Sequence, residues 1–182
     1  MNKIKITSLS IEGCFLIDFL PIFDDRGVFV KTFNRDIFKG TVLQDFSVEE
    51  EFFTKSHKNV IRGMHFQTPP FDHNKIVSCT DGEVTDVLVD IRVKSKSFGE
   101  FCSIDLSSEA FQCLYIPSGI AHGFVSRSAY STMSYKVDKI YSAENDKGIA
   151  WNSFCFDWNC DNPVISNRDR NFPSLDEFNS PF

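Results

Sequence analysis

The chain has little that would take it out of water or into an oxidising compartment. Its N-terminus carries no apolar run long enough for a signal peptide, and no stretch is long enough to span a bilayer. Its six cysteines, at positions 14, 79, 102, 113, 155 and 160, include no C-x-x-C pair. Free thiols in a reducing cytoplasm are therefore expected, with Cys79, Cys102 and Cys113 as small core residues. Positive charge is also short: the net charge is −6, which argues against a nucleic acid or an anionic membrane as partner. A small anionic ligand held by a few local Arg and Lys remains compatible with that balance. Repeats, low-complexity runs and Pro/Gly-rich linkers are absent, so residues 1–182 read as one domain with length enough for a real core.

Trp and Tyr are scarce, at 2 and 4, but there are 20 Phe. Phe favours strands and buries a large area, so an all-β core is the first expectation. From about residue 60, short alternating apolar runs are broken by turn residues. Ile76–Cys79 ends at Thr80-Asp81-Gly82, which reads as a hairpin-like turn. Glu83–Ile91 follows, with Thr85, Val87, Val89 and Ile91 on one face and Val84, Asp86, Leu88 and Asp90 on the other. Phe101–Leu106, Phe111–Ile116, Ala121–Val125 and Thr132–Val137 continue the rhythm, with Pro117-Ser118-Gly119 as a tight turn. Many short strands without a long helical period between them predict a sandwich or jelly-roll barrel. A short helical turn is expected at Arg35–Phe38. Residues 162–182 read as an irregular tail, laid over the barrel by Phe172 and Phe178. Asp86 shares a face with Val84 and Leu88. It is either a solvated group on an edge strand or a polar group lining an internal cavity.

The densest chemistry lies in Arg62-Gly63-Met64-His65-Phe66-Gln67. Strand parity puts Gly63, His65 and Gln67 on one face and Arg62, Met64 and Phe66 on the other. A lone strand histidine is usually structural. Here Lys75, His122 in Ala121-His122-Gly123-Phe124, and Tyr135-Lys136 follow on later strands, and all can move protons or stabilise anions.

Several segments together resemble the dTDP-4-dehydrorhamnose 3,5-epimerase family. They are Phe23-Asp24-Asp25-Arg26-Gly27, Ile61-Arg62-Gly63-Met64-His65-Phe66-Gln67, Asp86-Val87-Leu88-Val89-Asp90-Ile91-Arg92 and Ile116-Pro117-Ser118-Gly119-Ile120-Ala121-His122-Gly123-Phe124. Tyr135-Lys136, Trp151-Asn152 and Ser166-Asn167-Arg168-Asp169 extend the likeness, which runs in order from about residue 14 to about residue 175. The resemblance implies an all-β, cupin-type jelly-roll barrel that acts as a homodimer on a nucleotide sugar without metal or other cofactor. It implies that His65 is a base oriented by Asp169, that Tyr135 is the acid on the opposite face of the sugar, and that Lys75 stands near the carbonyl oxygen. Arg26 and Arg62 resemble diphosphate clamps. His122, Tyr141, Asp146 and Arg168 match further substrate-contact positions, and Phe29, Lys31, Glu50, Phe52 and Gln67 are further substrate-binding candidates.

The implied chemistry is physically coherent. Protons on carbons 3 and 5 are acidic only because the carbanion delocalises into a carbon-4 ketone. An imidazole, with an ordinary pKa of about 6.5, suits their removal. General acid–base help is typically worth roughly 10²–10⁴-fold, and charge stabilisation of the enolate should contribute more. Parity leaves one conflict, since Arg62 and His65 fall on opposite faces. Either Gly63 marks a bulge, or Arg62 serves another site, such as one in a partner subunit.

The family pattern breaks at the nucleotide end. The family usually has Glu two residues after the Phe of R-G-x-F, where this chain has Lys31 after Phe29-Val30. It usually has Gln-x-Asn-x-Ser where this chain reads Glu50-Glu51-Phe52-Phe53-Thr54. These exchanges either select another base than thymine or include a compensating Lys31–Glu50 swap. A CDP- or GDP-linked keto sugar, inverted at one carbon only, is one alternative substrate. A metal-dependent isomerase or dioxygenase on the same fold is another reading, but His65-Phe66-Gln67 lacks the H-x-H ligand pair common in such sites. A non-catalytic sugar-nucleotide-binding protein is the third.

Overall fold

The alternating runs are strands in the computed structural model, which describes residues 4–182. The chain begins with β1 (Lys5–Ser8), β2 (Phe15–Asp18), β3 (Ile22–Asp24) and β4 (Gly27–Phe29), then the helical turn α1 (Arg35–Phe38). Next come β5 (Glu50–His57), β6 (Ile61–Gln67), β7 (Lys75–Asp81), β8 (Glu83–Asp90) and β9 (Phe101–Ser107). β10 (Gln112–Ile116), β11 (Ile120–Ser126), β12 (Tyr130–Val137) and β13 (Asp146–Gly148) complete the strands. A second helical turn, α2 (Asn167–Arg170), interrupts the C-terminal tail. Among the described residues no helix is long and apolar enough to cross a membrane.

Two sheets carry the architecture, in the orders β1-β2-β10-β7-β12-β5 and β13-β6-β11-β8-β9. From β5 to β13 every connection except β8 to β9 passes from one sheet to the other. The jelly roll is therefore present, as two facing sheets rather than a closed barrel. The turn at Thr80-Asp81-Gly82 corrects an expectation: β7 and β8 do not form a hairpin, because Gly82 carries the chain across to the opposite sheet. Gly82 has φ +77°, and a Cβ there would meet the Tyr130 carbonyl at 2.2 Å, so the crossing needs glycine.

The sheets bury three apolar clusters. Val77, Cys79, Leu114 and Met133 face Val84, Leu88, Leu106 and Phe124 between the sheets. On the outer face of the five-stranded sheet, Met64, Phe66, Val87, Val89 and Ala121 are covered by Trp158, Ile165, Phe178 and Phe182. The outer face of the six-stranded sheet packs Ile17, Ile76 and Cys113 on Phe38, Leu43 and Phe46. This double covering explains why β8 is buried on both faces, as strands flanked by structure on each side are. All six cysteines are free, and Cys79, Cys102 and Cys113 sit in or against these clusters as expected. The tail lies where its phenylalanines were expected to place it, Phe178 against Phe66 at 5.0 Å and Phe172 against His65 at 5.7 Å between ring centroids.

The parity conflict in β6 is resolved by a bulge. His65 pairs with His122 and Arg62 with Phe124, so Gly63 and Met64 together oppose Gly123. The extra residue turns Arg62, His65 and Gln67 toward one side and leaves Ile61, Met64 and Phe66 on the other. Gly63 has φ +147°, and a Cβ there would stand 2.6 Å from the Gly123 Cα. Gly63→Ala is expected to lower stability by about 1–3 kcal/mol from strain alone, measured by urea unfolding. A variant as stable as the parent would show that the bulge is not this tight.

Candidate active site

The bulge and the facing sheets enclose a cavity of about 310 Å³, within the range of small-molecule sites. β5 contributes Glu50, Phe52 and Thr54, and β6 contributes Arg62, His65 and Gln67. Lys75 enters from β7, His122 from β11 and Tyr135 from β12, with Tyr141, Asp146 and Arg168 at the rim. Asp169 stands behind His65, one hydrogen bond from the cavity wall. Twelve of the residues singled out in the sequence thus come together around one space.

His65 is half-buried, and its Nε2 lies 3.0 Å from Asp169 Oδ1. The other carboxylate oxygen, Oδ2, accepts the Gly63 backbone N–H at 3.1 Å. Ser166 caps α2 by accepting the Asp169 N–H, which fixes the carboxylate in place. Burial alone would raise the Asp169 carboxyl, but hydrogen bonding and charge from His65, with the Gly63 N–H and Ser166, hold it below the usual carboxylate range. An acceptor-only carboxylate assigns the proton to Nε2, so Nδ1 of His65 carries the lone pair.

A second His–Asp pair lies deeper. His122 Nε2 is 2.8 Å from Asp86 Oδ2, and Asp86 Oδ1 has no hydrogen-bond partner. β8 is flanked by β11 and β9, so Asp86 is an interior group rather than a solvated one on an edge strand. Burial pushes the Asp86 carboxyl up and the His122 imidazole down, each opposed by the other. Lys75 is buried in the same region. Desolvation lowers its pKa to about 8, against the pull of Asp86 and Asp146. Tyr135 is stacked on Phe52 at 4.7 Å and meets His122 edge-on at 6.1 Å; burial raises its hydroxyl well above the ordinary phenol value.

At the rim, Asp146 pairs with Arg168 at 2.7 Å, and Glu50 accepts the Tyr141 N–H at 2.8 Å. Arg62 is aimed by Ser56 Oγ at 3.0 Å and by the Lys55 carbonyl. Gln67 lines the cavity as well. Its Nε2 is taken up by the Phe71 and Ile140 carbonyls and His73 Nδ1, and its Oε1 by the Ser142 N–H, so it braces the wall. Arg26, Phe29 and Lys31 are not brought to this cavity. Arg26 is exposed and paired with Asp24 on the two-stranded β3–β4 hairpin, and Phe29 and Lys31 are also exposed. His73 and Lys139 line the cavity without having been singled out. His73 sits in a Pro-rich loop before β7, where no strand parity points it inward; burial, chiefly, takes its pKa down to about 3. Among the described residues no three His, Cys, Asp or Glu gather closely enough to hold a metal ion.

Two facing sheets around a largely apolar cavity, with a His–carboxylate pair, a buried lysine and a buried phenol, make a jelly-roll frame suited to moving protons. The model of the dTDP-4-dehydrorhamnose 3,5-epimerase family matches residues 8–177, and the chain belongs to that family. It is 37% identical over 180 residues to the Escherichia coli K12 dTDP-4-dehydrorhamnose 3,5-epimerase, covering 97% of this chain and 96% of that one. The crystal structure of the Legionella pneumophila dTDP-6-deoxy-D-glucose-3,5-epimerase in complex with dTDP-4-keto-L-rhamnose superposes with TM-score 0.91. That pair is 30% identical, with 97% of this chain and 95% of the other covered. A 3′-monoepimerase from Streptomyces bikiniensis, solved with dTDP-quinovose, superposes with TM-score 0.88 at 27% identity, covering 97% and 88%.

A lysine whose folded pKa is lowered costs stability wherever it is forced to carry its proton. The unfolded chain binds more protons between the folded value of about 8 and the unfolded value near 10.5, so stability rises with pH across that window. Lys75→Met is expected to lack this rise, so that the parent gains on the variant by up to about 3 kcal/mol between pH 8 and pH 10.5. Urea unfolding at several pH values reads this, and parallel stability curves for the two proteins across that window would contradict it.

Proposed function

We propose that this chain inverts carbon 3, carbon 5 or both of a nucleoside-diphosphate 4-keto-6-deoxysugar by proton removal and return. The observation that carries the reading is the His65–Asp169 pair opening onto a cavity that also holds Lys75 and Tyr135. His65 takes the proton beside the ketone on Nδ1, and Asp169 stabilises the imidazolium that results. Lys75, charged below about pH 8, balances the negative charge that builds on the carbon-4 oxygen. Tyr135 keeps its proton through the working pH range and returns it on the opposite face of the ring. The names of the relatives favour a dTDP-linked sugar, and the residues at the nucleotide end, Glu50 and Phe52, decide how strictly.

Arg62, Lys139 and Arg168 are cations available to the diphosphate within one chain. A homodimer is part of the proposal. The β3–β4 hairpin exposes Phe23 at 67% and Phe29 at 58%, away from its own cavity. A hairpin laid across a second copy would cover these rings and offer Arg26 and Lys31 to that copy's nucleotide end. The free thiols support a reducing compartment, and the cytoplasm is the proposed location.

The test is incubation with dTDP-, CDP- and GDP-linked 4-keto-6-deoxysugars in heavy water, locating deuterium by NMR. Exchange at carbon 3 or carbon 5 is expected, unchanged by a chelator. Its absence with all three nucleotides would sink the proposal, and loss on chelation would point to a metal-dependent reaction. His65→Asn is expected to lower exchange by roughly 10²–10⁴-fold. Tyr135→Phe should keep exchange yet lose inversion at one carbon or more. The parent rate is expected to fall above about pH 8 as Lys75 loses its proton, and a rate flat to pH 10 would remove Lys75 from the mechanism.

A further inference from the structure

Phe52 occupies a position where the family pattern carries a polar Asn. It is the direct cross-strand partner of Tyr135, and the two rings lie parallel, 4.7 Å apart with 10° between planes. Phe52 is 43% exposed and Tyr135 only 8%, so Phe52 forms the outer layer of the stack. The His122 ring meets Tyr135 edge-on at 6.1 Å, and β7 runs beside β12 with Val77 opposite Tyr135. The phenol is thus held between an aromatic cover and its neighbours, and water cannot approach it through Phe52. An asparagine at this position would offer neither a stacking face nor an apolar cover.

We propose that Phe52 is a positioning residue for the proton-returning step, holding Tyr135 in line with the enolate and dry, so that the protein inverts carbon rather than merely exchanging its proton. This rests on the epimerase reading above. Two fates compete for the enolate. In one, the N–H bond of the His65 imidazolium breaks and the C–H bond reforms on the original face. In the other, the O–H bond of Tyr135 breaks and the C–H bond forms on the opposite face, leaving phenolate and imidazolium, which water resets by giving one proton and taking the other. The second delivers deuterium from the solvent-equilibrated Tyr135 hydroxyl and inverts; the first delivers deuterium only after the imidazolium N–H has exchanged with solvent, and it never inverts. Any loosening of Tyr135 lowers inversion per exchange event without touching proton removal, because His65 and Asp169 lie on other elements.

The experiment measures inversion per deuterium incorporated, at carbon 3 and carbon 5, for the parent, Phe52→Leu and Phe52→Tyr, with thermal melting of each. Phe52→Leu is expected to lower the ratio roughly tenfold at one carbon or more, the scale of a modest misplacement of a catalytic group. Phe52→Tyr keeps the stack and should stay within about twofold of the parent ratio. A role in folding alone would lower melting temperature and total activity and leave the ratio unmoved. An unchanged ratio in Phe52→Leu overturns the inference, as does an equal loss in Phe52→Tyr. Exchange absent from the parent protein would instead overturn the epimerase reading beneath it.

Discussion

The Asp169 carboxylate is the constraint on which the site depends. One oxygen holds the imidazole of His65, and the other holds the Gly63 N–H at the bulge that turns His65 and Arg62 to the same side. The same group therefore braces the bulge in β6 and sets the tautomer of its histidine. It can serve both because Ser166 caps the short α2 turn and the tail is pinned by Phe172 and Phe178. The phenylalanines that cover the outer face of the five-stranded sheet are in this sense part of the active site, since they fix the segment that carries Asp169.

Around that anchor the interior is sorted by charge. Lys75, Asp86 and His122 are buried together, and their desolvation is tolerable because each faces an opposite charge or a hydrogen-bond partner. The unsatisfied Asp86 Oδ1 and the depressed Lys75 mark a region held away from its most stable arrangement, as is common where a reaction needs a charge ready before substrate arrives. The rim is different: Asp146–Arg168 and Glu50 with the Tyr141 N–H are more accessible than this interior.

Much of this was legible in the sequence, and what was not has identifiable physical causes. Alternation located β8 to β12, and the ordered motifs pointed to twelve residues that now surround one cavity or stand directly behind it. Parity failed at β6, because a bulge adds one residue that no periodicity records. It failed in a different way at Gly82, where a turn-like tripeptide joins strands of opposite sheets: local turn chemistry says nothing about which strands pair. Asp86 was ambiguous because edge and centre of a sheet are decided by strand order. The bracing of Gln67 by the Phe71, Ile140 and Ser142 backbone was not visible, because those groups belong to a loop and to the segment after β12. Arg26 and Phe29 lie on a hairpin, with Lys31 just beyond it, that the chain leaves outside its own cavity; a motif records residue types, not where a hairpin comes to lie.

If one carboxylate both braces the bulge and sets the tautomer of the base, removing its charge while keeping its size should be decisive. In Asp169→Asn the amide would donate to His65 Nε2 and drive the proton onto Nδ1, the atom needed as acceptor. The most direct measurement is the rate of solvent deuterium exchange into the keto sugar by Asp169→Asn, with circular dichroism to confirm the fold. A loss of roughly 10²–10⁴-fold in a natively folded protein is expected. Exchange at the parent rate in that variant would contradict it.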